Sequence, residues 1–313
     1  MRVTLEQWRM LKAVVDHGGF AHAAAAVHKS QSSINHAIHK MEDQLGVKLL
    51  QVKGRKAYLT DAGSLLLRRA ESLLDSAQHI DDLAQSLSAG EEPEISLAID
   101  QIMPAVYITE VLELFANEYP NTRVQLYETV LSGAREALEE GAVDLAITGA
   151  GMPGYLSEPM TGVDFIAVAS PRHELCNMGP LNLDDLRNFR QIVTRDSALQ
   201  DKVDSGWLKA EQRWTVSNLS TAVAMVQRGV GFAWLPMTRV GPLILSDELK
   251  VLPLEKGALR SMTLQMYYGR GEQSGPGVMR LAELLKEFCV MQCPKHDIPM
   301  RAQILAEIEK PET

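Results

Sequence analysis

From residue 94 onward the hydrophobic pattern settles into short apolar runs separated by amphipathic ones, and this rhythm persists to residue 291. Runs at 95–99, 122–127, 144–148, 164–169, 191–194, 231–235 and 262–269 read as strands. Segments at 105–119, 132–140, 184–187, 219–228 and 277–291 read as helices, the first stopped by Pro120. Such alternation predicts a mostly parallel sheet covered on both faces, because each crossover lays a helix on the sheet. A length of 313 residues suits about two domains. With 46% hydrophobic and 23% charged residues, the chain has enough apolar surface to exclude disorder as its main state. No run of 18 apolar residues predicts a transmembrane helix, and the first residues lack the basic-then-apolar layout of a secretory signal. Cys176, Cys289 and Cys293 are too few and too scattered for a disulfide scaffold. Together these features predict a cytoplasmic protein.

The first 60 residues differ in charge from the rest. They hold nine Lys/Arg against four Asp/Glu and five of the eight histidines, while the whole chain carries a net charge of −9. A basic head on an acidic body suggests that the head meets a polyanion. Thr4 to Gln7 has capping-box spacing, and Leu5, Trp8, Leu11 and Val15 follow at helical intervals until Gly18-Gly19. Residues 20–27 read as a second, alanine-rich helix. A third runs from Gln31 to Leu45, with Ser30 as its N-cap and Gly46 as its stop. Ile34, Ile38, Met41 and Leu45 form one apolar stripe of this third helix. Gln31, Ser32, Ser33, Asn35, His36, His39 and Lys40 occupy its other faces, and short hydrogen-bonding side chains of this kind suit the base edges of a DNA major groove. Two short strands, 48–52 and 57–60, flank a hairpin tip whose cations Lys53, Arg55 and Lys56 could reach phosphates, completing a winged helix-turn-helix.

The segments SQSSINHAIHKMEDQLG (residues 30–46) and KLLQVKGRKAYLTDAG (residues 48–63) resemble the N-terminal domain of LysR-type transcriptional regulators in their Ser-Gln opening, Met-Glu pair, Leu-Gly and Leu-Thr-x-Ala-Gly. Asn35 departs from the serine usual there, and Leu50 and Val52 depart from the usual Phe and Arg. Lys53, Arg55 and Lys56 could supply the missing phosphate contact. The order of elements in the body also resembles that family, so the likeness covers residues 1–290. It implies an α/β effector domain of two Rossmann-like lobes, of the type 2 periplasmic-binding-protein-like kind, preceded by an all-α winged helix-turn-helix and a long coiled-coil linker helix. The expected layout is a DNA-binding domain at 1–60, a dimerisation helix at 61–90, an effector-binding domain at 91–292 and a tail at 293–313. Lobe I is expected at 94–163 and 268–290 and lobe II at 164–267, with crossings near 161–164 and 267–270.

In the linker, Leu66, Leu73, Ile80 and Leu87 recur every seven residues, and so do Ala70, Ala77 and Ala84. This large/small seam predicts a two-stranded coiled coil holding two heads over a two-fold-related DNA site. The resemblance further implies a dimer of dimers and adds RNA polymerase as a candidate partner.

Ligands of such folds bind where loops leave the carboxyl ends of strands, between lobes. The candidate effector contacts are Asp100, Gln101, Ile102, Thr129 and Thr148 from one lobe, with Thr194, Asp196, Ser197 and Asn218 from the other. Many members of the family that the chain resembles carry small hydroxyl residues in the loop that holds Asp100. An unpaired carboxylate there would repel an anion, which points to a neutral, polar or amine-bearing effector. Residues 149–154 match the dinucleotide fingerprint, but Pro153 and Pro159 interrupt the helix that it must open. Cys289 and Cys293 stand one helical turn apart and suit packing better than metal, with only His296 nearby as a further ligand. No cofactor or metal is expected, and no nucleophile elbow or paired-carboxylate motif points to an enzyme. Two alternatives stand beside an effector-responsive regulator. One is an effector-independent regulator whose cleft is filled by side chains. The other is a solute-binding or enzymatic module with a helical interaction head.

Overall fold

The computed structural model describes residues 3–53, 56–200, 202–204, 206–291 and 293–308. The chain divides into two compact units, Met1–Ala89 and Gly90–Thr313.

The first unit consists of helices α1 (Leu5–Asp16), α2 (Phe20–Ala26) and α3 (Gln31–Leu45), a hairpin β1 (Leu50–Lys53) and β2 (Lys56–Leu59), and helix α4 (Asp61–Ser88). The capping box forms: Gln7 N–H donates to Thr4 Oγ1, and Thr4 N–H donates to Gln7 Oε1. At α3, Ser30 caps the Ser33 amide and Gly46 closes the helix at φ 72°, a left-handed conformation that glycine adopts at little cost. Ile34, Ile38 and Met41 are buried against Leu11, Val14 and Ala23, as the apolar stripe predicts. Glu42 joins α3 to the hairpin. Its carboxylate accepts the Leu49 and Leu50 amides and pairs with Lys48 Nζ at 2.6 Å. Burial pushes this carboxyl up, but the bonds from Lys48, Leu49 and Leu50 outweigh it and hold the pKa below the ordinary value.

The second unit carries a seven-stranded sheet in the order β10-β6-β11-β5-β3-β4, with β9 also paired to β6. Its strands are β3 (Glu94–Asp100), β4 (Arg123–Thr129), β5 (Leu145–Thr148), β6 (Ser157–Ala169), β9 (Ala233–Pro236), β10 (Lys250–Val251) and β11 (Leu259–Tyr268). A separate parallel pair joins β7 (Gln191–Thr194) to β8 (Arg213–Val216). Helices α5 (Ala105–Glu118), α6 (Gly133–Glu139), α7 (Leu219–Gln227), α8 (Met237–Leu245), α9 (Pro276–Met291) and α10 (Cys293–Ile308) complete it.

Two lobes share the large sheet. In the first, Leu97, Ile99, Leu145 and Met266 pack against Tyr107, Val111 and Phe115 of α5 and Leu281 and Leu285 of α9. In the second, Ile166, Val168 and Leu235 pack against Ala222, Val240 and Ile244. The expectation of a mostly parallel sheet is corrected here. β3 pairs in parallel with β4 and β5, but β6 runs antiparallel to β9, β10 and β11, and β11 runs antiparallel to β5. The reason is that β6 and β11 are long strands that run in opposite directions through both lobes, so the connections themselves become sheet. The crossing on β11 also comes earlier than the 267–270 predicted. Leu259 packs on the second lobe's core, whereas Leu264, Met266 and Tyr268 already belong to the first.

Further features go beyond the sequence reading. α8 and β8 have no counterpart among the expected elements, and the 184–187 helix is a 3-10 turn at Asp185–Asn188. The tail set outside the effector domain is helical, with Ile304 fully buried in the second lobe's core. α10 packs on α8 of one lobe and α9 of the other. Gly241 of α8 leaves room for Met300, since a Cβ there would collide with its sulfur. Arg301 pairs with Asp164, which also accepts the Ser261 hydroxyl. Finally, the expected boundary at residue 60 is no break in packing, because Leu67, Ala70 and Leu74 of α4 lie in the same core as α1.

Candidate functional site

All seven α3 residues expected to read DNA are solvent-exposed: Gln31, Ser32, Ser33, Asn35, His36, His39 and Lys40. The helix pitch puts them opposite or beside the buried Ile34–Ile38–Met41 stripe, which fixes the helix in its unit while leaving the polar faces free. No acidic side chain falls in the first turn of α3, so its positive end is not neutralised from within. Lys53, Arg55 and Lys56 have side chains that lie outside the described residues.

Along α4 the expected seam divides in two. Ala70 is 3% exposed and belongs to its own unit's core, and Leu66 is half-buried against the same core. Leu73, Ile80 and Leu87 remain 52%, 67% and 49% exposed, with Ala77 and Ala84 between them. The heptad extends past the point where the globular core ends, which is why the spacing alone did not separate the two uses.

Between the lobes lies a cavity of about 430 Å³. Of the nine residues predicted to line it, Asp100, Ile102 and Thr194 do so. The other six do not reach it and serve the structure around it. Asp196 accepts the Ser132 amide and hydroxyl, and Ser197 Oγ accepts the Val130 amide, so the lobes are latched together. Gln101 Oε1 accepts the Leu219 amide at the start of α7, adding a third tie. Thr129 donates to Ile99 O, and Asn218 caps the Ser220 amide. Thr148 donates to Leu131 O. Burial raises the Asp196 pKa, but the bonds from Ser132, Ala198 and Val203 more than offset it, and the carboxyl stays below its ordinary range.

Asp100 is 3% exposed and accepts two amides, from Ile102 and Leu131. With Thr148 it holds Leu131 at φ 55°, a conformation that costs a non-glycine residue of order 1–3 kcal/mol. Desolvation dominates its titration, with Asp196 adding repulsion, and the pKa rises from 3.8 to about 6.

The residues that give the cavity its chemistry were missed. Trp207 and Trp234 line it with ring centroids 5.8 Å apart, joined by Phe165 and Met262. Trp234 is fixed by its indole N–H on Gly257 O, and Arg260 lies 4.1 Å over its ring. Burial lowers the Arg260 pKa, and no carboxylate among the described residues pairs with it. Only an arginine on a strand that crosses lobes could have signalled this role, and β11 reads in sequence as an ordinary strand. The fingerprint at 149–154 opens no helix: β5 leads through a loop into β6, and Gly149 and Ala150 face the cavity instead. Cys289 packs in the first lobe's core, and the Cys293 side chain lies outside the described residues.

Residues 88–290 match the family described as LysR substrate binding domain, and residues 5–64 match the bacterial regulatory helix-turn-helix protein, lysR family. The chain is 27% identical over 248 residues to the Uncharacterized HTH-type transcriptional regulator YeeY of Escherichia coli (strain K12), spanning 75% of this chain and 78% of the relative. It is 30% identical over 245 residues to the Probable hydrogen peroxide-inducible genes activator of Streptomyces viridosporus, spanning 76% and 78%. In fold it resembles the full-length LysR-type regulator LysG of Corynebacterium glutamicum with bound effector Arg, at 18% identity and a TM-score of 0.52 over 92% of this chain and 98% of that one. α10 lies beyond the matched segment. A helix-turn-helix head whose third helix exposes a polar face, followed by a two-lobed body enclosing a cavity, is the family's arrangement, and the chain belongs to the LysR family of bacterial DNA-binding transcription regulators.

Proposed function

We propose that this regulator reads a two-fold-related duplex site through α3 and adjusts its action to a small molecule held between the lobes. The observation that carries this reading is the cavity of about 430 Å³ in the matched effector domain, on the same chain as the exposed face of α3. Asn35 and His36 read base edges, Gln31, Ser32, Ser33, His39 and Lys40 support them, and Lys53, Arg55 and Lys56 grip phosphates. Leu73, Ala77, Ile80, Ala84 and Leu87 join two copies, which pair again as a dimer of dimers. The protein works in the cytoplasm by binding rather than by catalysis, with RNA polymerase as its further partner. No helix among the described residues is long and apolar enough to cross a membrane.

Gel shifts with genomic fragments test the reading. Asn35→Ala or His36→Ala should relax base preference by about 1–3 kcal/mol, whereas Lys53→Ala should weaken every sequence and flatten the salt slope by about one. Equal losses on specific and random DNA from both kinds of variant would refute this division. Ile80→Asp should lower the oligomeric state in light scattering.

A further inference from the structure

We propose that the inter-lobe cavity receives a small aromatic carboxylate whose far end carries a hydroxyl or amine donor. This deepens the reading of the cavity as the effector site and rests on it. Three features of the walls define the ligand, and they replace the neutral or amine-bearing effector expected from Asp100 alone, because Asp100 is bonded to the Ile102 and Leu131 amides and Arg260 supplies a cation on the other lobe. The first is cationic: Arg260, on β11, presents a partly buried guanidinium that no carboxylate among the described residues engages. It lies 4.1 Å over the Trp234 ring, and its planar fork of N–H donors suits a carboxylate in two parallel bonds. The second is aromatic: Trp207 and Trp234, packed on each other at a tilt, and Phe165 form one apolar wall, with Met262 as an adaptable edge. A ring laid against this wall gains apolar burial and aromatic contacts. The third is Asp100, on the opposite lobe. Its carboxyl sits in the wall at the end of β3, with Ser132 and Thr194 near the same opening.

These features are incompatible with several other ligand classes. A dicarboxylate would place its second charge in a cavity already occupied by the Asp100 carboxyl, and only one cation lines the walls among the described residues. A cationic amine without a carboxylate would confront Arg260 across a desolvated space. A hydroxyl or neutral aromatic amine at the ring's far end satisfies Asp100 as a donor in either of its protonation states. The volume of about 430 Å³ accommodates one substituted ring and lies within the usual range for small-molecule sites. Because Arg260 and Asp100 belong to different lobes, such a ligand ties them together, and this gives it the differential affinity for a closed arrangement that any effector needs.

The test uses the full-length protein and isothermal titration with 4-hydroxybenzoate, 4-aminobenzoate, 4-hydroxybenzyl alcohol, benzylamine, succinate and L-arginine. The two aromatic acids should bind, and 4-hydroxybenzyl alcohol should bind between about ten- and a hundredfold more weakly, as expected for loss of a charge-assisted pair. Arg260→Gln should erase that preference for the acid, lowering the acid's affinity at least about tenfold more than the alcohol's; Arg260→Lys, which keeps the charge, should restore part of it. Should benzylamine, succinate or L-arginine bind while the aromatic acids do not, or should Arg260→Gln leave acid binding intact, the ligand class is overturned and the effector site stands. Should no compound in this panel or in a broad metabolite panel bind, and cavity-filling Ala222→Phe retain the wild-type DNA response in cell extract, the effector reading itself fails along with it.

Discussion

Asp100→Asn isolates the cost of a buried charge beside the cavity. The folded-state pKa of Asp100, about 6, lies above its ordinary 3.8 because burial disfavours the ionised form. A carboxyl with a raised folded pKa binds its proton more tightly in the native state. Its stabilising effect is therefore greatest below pH 3.8, declines as pH rises toward 6, and is gone above it. Linkage gives a cost of about 1 kcal/mol at pH 4.5 and about 3 kcal/mol at pH 7.5, a difference of about 2 kcal/mol. Asparagine cannot ionise, but it retains only one of the two oxygens that accept the Ile102 and Leu131 amides. Losing that acceptor costs about 1–2 kcal/mol at every pH. The variant should thus be no more stable than the parent at pH 4.5 and more stable by about 1–2 kcal/mol at pH 7.5. Urea unfolding followed by tryptophan emission measures this, since Trp207, Trp214 and Trp234 all lie in the body. Titrating groups that do not interact with Asp100 cancel in the difference between the two proteins, and the repulsion between Asp100 and Asp196 is relieved in the variant along with the buried charge. A stability difference that stays flat from pH 4.5 to 7.5 would show that Asp100 does not carry a buried charge in the folded state.

Other perturbations should be equally readable. Glu42→Gln breaks the tie between α3 and the hairpin, and should cost the head about 1–3 kcal/mol at neutral pH. Since the Glu42 pKa is lowered on folding, the parent's advantage should hold above pH 4.5 and shrink as pH falls through the folded value; a constant gap in acid melts would contradict this. Gly133→Ala places a methyl against Ser197 Oγ and should spring the latch, so the Val130, Ser132 and Ser197 amides should exchange hydrogen at least about tenfold faster; unchanged protection would sink the idea. Ile304→Ala should destabilise the body by about 2–5 kcal/mol in urea, and a loss under 1 kcal/mol would mean that α10 is only loosely docked.

The head was legible because its signals are local. A capping box, an i, i+4, i+7 stripe and a closing glycine each occupy adjacent turns, and the structure reproduces them at Thr4, Ile34–Met41 and Gly46. The body was legible as an alternation but not as a topology, because sequence period does not say which way a strand's neighbour runs. The cavity wall was read in part. Of the nine polar and loop residues expected at the cleft, three line the cavity and six spend their hydrogen bonds on the surrounding chain. A short polar side chain in a loop serves a ligand or a latch equally well, and only the partner decides. Trp234 and Arg260 sit on strands that resemble ordinary core strands and Trp207 lies in the irregular segment before β8, so their convergence emerged only in three dimensions.

The helix beyond the matched segment changes where this protein can be cut. Ile304 plugs the second lobe, Met300 occupies the notch left by Gly241, and α10 reaches both α8 and α9. A chimera that borrows only residues 88–290 would inherit an oily dent on its back and a severed buttress at Asp164. Any transplant of this sensing module into another promoter-reading head should therefore carry the chain through residue 308.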